Sequence, residues 1–480
     1  MKTLNQILQG INYIGIADNR LIQKISYDSR MIEDNTLFVA IKGSKYDGHE
    51  YIDNAVKLGA NAVLIDRDIR INKYSVPLLK VQNTRKAISR IASNFFGDCS
   101  QNIHITAVTG TNGKTTVTYL INHILKFNNY STSALGTLGL QREKNIIKTG
   151  FTTPEALELQ NIFYTLYNDN VTHLNMEISS HALSLNRVDD VNVNIALFTN
   201  LTPEHLDFHG NIDDYFKAKL KLFQNLSSSD TAILNYDDPY SQDIKKGTEA
   251  KILTYGLDQK SDLFAEGINM SLVGTSFIVN YQNKKFNVRT PLIGEFNISN
   301  ILGAILACNT IGIEMDMIIN AVNNFDLVPG RLEVYETKKN GIIIIDYAHT
   351  PDAFEKIFSL VKEISPKRKI ISLFGCGGDR DKSKRPIMAQ ISEKYSDYII
   401  ITDDNPRFEN PKDIINQIVS GFKLKKHKII HNREQAIKKA IKNLNNNDIL
   451  MILGKGVEEY QIVKNTNYNY SDIQTVKDSL

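Results

Sequence analysis

A three-domain α/β protein built on parallel sheets is what this sequence predicts. Short apolar runs alternate with amphipathic stretches almost from end to end, and one such run passes through a glycine-rich turn into a helix. Length agrees, since 480 residues exceed one ordinary core. In the first block, Thr36–Ile41 and Ala62–Ile65 read as strands, with Tyr51–Leu58 a helix between them. The second block opens with strand Ile103–Val108 and a helix from Lys114, then runs through strands Leu174–Ile178, Ile195–Thr199 and Ala232–Asn235. Its tail reads as a hairpin, Thr275–Tyr281 and Lys285–Val288, followed by the apolar helix Ile298–Asn309. Pro329-Gly330 marks a break. Beyond it, strands Ile342–Asp346, Lys369–Phe374, Tyr398–Thr402 and Ile449–Leu453 alternate with helices, as in a doubly wound sheet.

Composition excludes several classes. With 42% apolar and 23% charged residues and only 11 prolines, the chain is globular. A net charge of +3 gives no nucleic-acid groove, and Lys423–Lys428 reads as a short solvated run. Cys99, Cys308 and Cys376 lie far apart, which argues against a disulfide framework or zinc site and suits a reducing compartment. Neither a signal peptide nor an apolar run of roughly 18 residues occurs, so a cytoplasmic location without membrane is expected.

Chemistry concentrates first in Val108-Thr109-Gly110-Thr111-Asn112-Gly113-Lys114-Thr115-Thr116. Between a strand and a helix, such glycines let backbone N–H groups surround phosphate oxygens, aided by the helix dipole. Lys114 suits the β/γ-phosphates, and Thr115 a magnesium ion. Val108 stands where a strict Walker A loop has glycine, so this is a shorter TGxxGKTT form. The expected plan is therefore a small N-terminal α/β domain (1–99), a central P-loop ATPase-like parallel sheet (100–326) and a C-terminal Rossmann-like domain (327–480). A carboxylate such as Glu177 at a strand end sits where α/β sheets hold ligands, and magnesium prefers oxygen donors. Read alone, Lys217, Lys219 and Lys221 would be a solvated basic face. Asp404-Asn405-Pro406 is a turn signal, which leaves Arg407 unexplained.

The loop TGTNGKTT resembles that of the Mur ligases, the amide-forming enzymes that assemble the peptidoglycan stem peptide. The resemblance continues in order through Met176–Leu183, Thr199–Asp207 and Asp346–Asp352, and covers essentially the whole chain. Within the family it is most similar to the third ligase, which adds a diamino acid. The resemblance implies ATP-dependent ligation of meso-diaminopimelate onto UDP-N-acetylmuramoyl-L-alanyl-D-glutamate through an acyl phosphate, by a monomer. The alternatives are the same ligation with L-lysine or a catalytically silent nucleotide-binding relative.

It also implies site residues. ATP would be held by Gly110, Thr111, Asn112, Gly113, Lys114, Thr115 and Thr116, with Asn297 and Arg331 reaching across a domain junction. Two magnesium ions would be held by Thr115, Glu177, His205 and Lys219, the last as a carbamate derived from carbon dioxide; Lys114, Glu177, His205 and Lys219 form the catalytic set. A carbamate needs a neutral amine, which desolvation favours. His181 and His209 stay open between support of that set and a structural role. Asp346 and His349 would support the nucleotide surface, with a strand-ending role equally open for His349.

The uridine-linked peptide would be gripped by Tyr27, Ser29, Ser44, Lys45, Tyr46, Thr152, Thr153, Ser180 and Arg187. Thr152–Pro154 could also cap a helix. Diaminopimelate would meet Arg380, Asp404, Asn405, Pro406, Arg407, Gly454 and Glu458. Arg407 can clamp its second carboxylate bidentately, where lysine would present an ammonium, and Glu458 could pair with the distal ammonium. Val457 replaces the family's common histidine.

Overall fold

Three large sheets, of four, eleven and six strands and each packed on both faces, organise the computed structural model. It describes every residue except 44–45, 70–73, 143–144, 273, 326–331, 339 and 425–426. The expected Pro329-Gly330 break, part of the Lys423–Lys428 run, and Ser44, Lys45 and Arg331 lie outside the described residues.

The first sheet has four parallel strands in the order Lys24–Ser26, Thr36–Val39, Ala60–Ile65, Leu78–Lys80. Its strands read as continuous apolar runs because helices and loops cover both faces; Leu37, Val39 and Leu64 fill one core, Phe38, Val63 and Ile65 the other.

The central sheet has eleven strands. Seven neighbours are parallel, from Thr132–Gly136 through His173–Glu177, His104–Thr109, Ile195–Phe198, Thr231–Asn235 and Lys251–Gly256 to Leu263–Ser271. This is the expected parallel central sheet, and both edges finish antiparallel: Gly139–Arg142 and Asn145–Ile147 on one side, Gly274–Tyr281 and Lys284–Thr290 on the other. The last two form the expected hairpin; its turn residues Gln282 and Asn283 both take positive φ, 49° and 61°, which matches the twist of the strands.

Helix Lys114–Phe127 crosses this sheet and packs against helix Glu295–Ile311, which is apolar on nearly every side. Ile298, Ile301, Leu302 and Ile305 are fully buried there beside Val117 and Ile121, each contributing about 1.5–3 kcal/mol of burial. Val108 is part of this core, so its side chain supports the phosphate loop from below.

The third sheet runs Glu333–Glu336, Ile342–Asp346, Ile449–Leu453, Ile370–Phe374, Tyr398–Ile401, His427–Ile429; only its first strand is antiparallel. Ile342–Asp346 and Ile370–Phe374 flank Ile449–Leu453, which brings Asp346, Phe374 and Leu453 level at one carboxyl edge. The loops that follow these strands carry the C-terminal site residues. No helix among the described residues is long and apolar enough to cross a membrane.

Candidate active site

The phosphate loop is shaped by two glycines and by the neighbouring strand end. Gly110 and Gly113 have φ of 148° and 89°, and a Cβ on either would collide with Thr199 or Asn300. The Thr111 N–H donates to Asn200 O at 2.8 Å, and the Asn112 N–H to Asn200 Oδ1 at 3.0 Å. Lys114 Nζ folds back to donate to Gly110 O (3.0 Å) and Thr111 O (2.7 Å). Thr116 is buried and lines an adjoining cavity with Asn112, Gly113, Asn297 and Asn300.

Glu177 ends its strand fully buried. Its Oε1 accepts from Thr115 Oγ1 and from the Thr137 N–H, each at 2.9 Å, and its Oε2 from Thr137 Oγ1 at 3.1 Å. Gly136 has no room for a Cβ beside this carboxylate. The carboxylate and hydroxyl oxygens fit the hard-donor preference of magnesium. Among the described residues, no three His, Cys, Asp or Glu side chains cluster as a metal site. Thr137 escaped the sequence reading because it is joined to Glu177 only by the fold.

Lys219 does not belong to a solvated face. On helix Ile212–Gln224 the buried residues are Tyr215, Ala218, Lys219, Leu222 and Phe223, the stripe spacing of a core-facing surface. Lys217 points outward beside Asp214. Lys219 is 1% exposed; its Nζ donates to Gly110 O at 2.7 Å and lies 4.6 Å from the Tyr215 ring centre. Burial, with the nearby positive Lys114, pushes its amine well below the ordinary lysine value, against a weaker opposing pull from Glu204.

His205 is half-exposed and holds a left-handed backbone, φ 56°. Burial lowers its imidazole pKa; Glu204 opposes that, and Lys114 and Lys219 add to it. His181, 4.8 Å from the His205 ring, is pushed down to about 4 by burial and by His205 and His209. His209 Nε2 pairs with Ser180 Oγ at 2.9 Å. Glu204, absent from the expected set, is held ionised: burial would raise its pKa, but His205, Lys114, His349 and Lys219 outweigh it.

At the start of helix Glu295–Ile311, Asn297 Nδ2 donates to Ile293 O, and Asn300 Nδ2 to Asn297 Oδ1. Asp346 accepts from the Leu332 and Ala348 N–H groups, both at 2.7 Å, and His349 Nδ1 pairs with Tyr347 O at 2.8 Å. Asp352 Oδ2 ties the halves together, accepting from Asn112 Nδ2 at 2.9 Å as well as from Lys356 Nζ at 2.9 Å.

Tyr27, Ser29 and Tyr46 line a second cavity of about 570 Å³ between the first sheet and Glu155–Ala156. Thr152 Oγ1 lies 3.1 Å from Thr137 Oγ1, and Thr153 Oγ1 donates to Glu177 O at 2.9 Å. The capping reading of Thr152–Pro154 is corrected: helix Ala156–Asn168 has Glu155 as N-cap, without a side-chain bond. Thr153 is drawn instead to the Glu177 strand end. Arg187 is buried, donating to Thr153 O (2.8 Å) and pairing with Glu155 (2.6 Å).

A third cavity, about 680 Å³, is lined by Glu204 and His205 on the central side and by Arg380, Asp404, Asn405, Arg407, Gly454 and Glu458 on the other. Arg407 has a left-handed backbone, φ 51°, and its Nη1 donates to Gly378 O at 2.8 Å. Pro406 packs against Gly378, where a Cβ would strike its carbonyl. Glu458 accepts from Asn405 Nδ2 at 2.8 Å and from Lys455 Nζ at 2.9 Å, so it already has a cationic partner within the chain. Lys455, fully buried, was missed by the sequence reading. Val457 beside it is half-buried.

The Mur ligase middle-domain model matches residues 108–308, the Mur ligase glutamate ligase domain 330–456, and the Mur ligase family catalytic domain 21–96. This chain belongs to the Mur ligase family. It is 39% identical to a Clostridium botulinum protein named UDP-N-acetylmuramoyl-L-alanyl-D-glutamate--2,6-diaminopimelate ligase, over 99% of each chain. The Caldanaerobacter subterraneus ligase of the same name is 40% identical over 99% of this chain and 98% of its own. A solved ligase of that name superposes with a TM-score of 0.72 at 29% identity, covering 100% of this chain and 99% of the other. A Mycobacterium tuberculosis folylpolyglutamate synthase shares the fold alone, with a TM-score of 0.65 at 15% identity over 77% of this chain and 92% of its own.

Proposed function

We propose that this chain uses ATP to join meso-diaminopimelate to the γ-carboxylate of UDP-N-acetylmuramoyl-L-alanyl-D-glutamate, in the cytoplasm and as a monomer. The observation that carries the reading is the single cleft in which Glu204 and His205, beside the phosphate loop, face Arg380, Arg407 and Glu458. One end suits phosphoryl chemistry, the other an amino acid with an extra carboxylate. Full-length similarity to ligases bearing this name supports it.

The loop amides and Lys114, released from Gly110 O and Thr111 O, bind the ATP phosphates. The cavity at Tyr27, Ser29 and Tyr46 takes the uridine end, and Thr152, Thr153, Ser180 and Arg187 lead from it towards Glu177. The glutamyl γ-carboxylate attacks the γ-phosphorus, ADP leaves, and an acyl phosphate forms. The amino group of diaminopimelate, having lost a proton, attacks the acyl carbon, and phosphate departs with the former carboxylate oxygen. Arg407 and Arg380 orient the distal carboxylate. Thr115, Glu177 and His205 would hold magnesium, which supplies charge neutralisation on the phosphoryl oxygens when bound. Lys219, whose burial lowers its amine pKa, would as the neutral amine add carbon dioxide, lose a proton to become the anionic carbamate, and complete that oxygen set. Placement and electrostatics suffice; no covalent nucleophile is needed.

An omission experiment tests this. Multiple-turnover ADP formation is expected only with ATP, magnesium, the uridine-linked dipeptide and diaminopimelate all present, with a product heavier by one diaminopimelyl residue. Sustained ADP release without any coupled product would contradict it.

A further inference from the structure

Lys455 is fully buried, yet it belongs to no expected site. Its Nζ donates to Glu458 Oε2 at 2.9 Å, Asn405 Oδ1 at 3.1 Å and Asp404 Oδ1 at 3.4 Å. Asn405, so held, accepts the Ile462 N–H at 2.9 Å and passes its own amide to Glu458 at 2.8 Å. One ammonium therefore fixes both carboxylates that line the cleft alongside Arg380 and Arg407. Two carboxylates share this ammonium, Arg433 acts on Asp404 as well, and Glu458 is the more exposed of the two, which leaves Glu458 as the one an incoming cation can reach. Without Lys455, the two carboxylates would share the site with no ammonium between them. Asn405 would be held at its Oδ1 by the Ile462 N–H alone. A buried pair stripped of its partner is costly and loses direction.

Resting on the amino-acid reading above, we infer that Lys455 is the positioning residue that aims the Glu458 carboxylate at the distal ammonium of the diamino acid. It thereby sets selectivity for a substrate carrying that ammonium. The discriminating probe is 2-aminopimelate, which keeps both carboxylates and the reacting amine but has hydrogen in place of the distal ammonium. In the wild type, kcat/KM for meso-diaminopimelate should exceed that for 2-aminopimelate by about 30-fold or more. Lys455→Met should collapse that ratio to within about threefold by raising KM for diaminopimelate, with KM for ATP little changed. Lys455→Gln, which keeps a donor without the charge and is gentler on folding, should do the same. If both variants slow the two amino acids in step, or neither variant folds, Lys455 is merely structural and the inference fails. A wild type that turns over neither amino acid would instead overturn the functional reading itself.

Discussion

Two buried lysines, one on each side of the cleft, have opposite surroundings. Lys219 is 1% exposed and meets a backbone carbonyl, an aromatic ring and the positive field of Lys114. Lys455 is 0% exposed and meets two carboxylates and an amide oxygen. The first environment lowers the amine's proton affinity; the second sets the side chain among hydrogen-bonding oxygens that fix its position. The same pairing acts on its partners. Burial would raise the Asp404 carboxyl, but Lys455 and Arg433 outweigh it and hold it below the usual carboxylate value. Burial alone does not decide what a lysine does; the charge of its neighbours does.

Breaking the reactive side should have the largest effect. Lys219→Ala is expected to lower kcat about 1,000-fold, since it would remove the proposed carbamate from the phosphoryl site. Wild-type enzyme kept free of carbon dioxide should slow as well and recover with bicarbonate. Full wild-type activity without bicarbonate would remove the carbamate from the account.

The recognition side gives a smaller change. Arg407→Asn should reduce kcat/KM for meso-diaminopimelate about 100-fold while leaving that for L-lysine unchanged or improved. An equal loss for both amino acids would make Arg407 a loop anchor, a role its bond to Gly378 O could fill by itself.

The smallest effect sharpens the contrast in stability. The unmodified Lys219 amine has a folded pKa below its unfolded value, so between those two values the unfolded chain binds more protons and stability rises as pH climbs towards the unfolded lysine value. In metal-free and carbon-dioxide-free buffer, Lys219→Met should therefore raise Tm at pH 7 by about 2 °C and flatten its rise with pH. Lys455→Met should lower Tm. A fall in Tm for both would show that the two sites are alike after all.

Much of this architecture is legible in the sequence where local signals are strong. The strand, glycine turn and helix around Gly110–Lys114 announce themselves, as do Ile342–Asp346 and Ile449–Leu453, whose apolar runs end where the observed strands end. Leu263–Ser271 was missed because Gly267, with φ 61°, and a register irregularity between Glu266 and Asn269 interrupt its period. For Lys219 a local signal was present: Tyr215, Ala218, Leu222 and Phe223 place it on the apolar stripe of its helix. No such signal exists for Thr137 or Lys455. Thr137 meets a carboxylate forty positions away, and Lys455 reaches partners about fifty away, distances that only sheet order closes.

The most direct test of the account is amino-acid-dependent phosphate release with the uridine-linked dipeptide and ATP, comparing meso-diaminopimelate with L-lysine. The account predicts a kcat/KM for meso-diaminopimelate at least about 100-fold above that for lysine. Equal rates with both, or a preference for lysine, would contradict it.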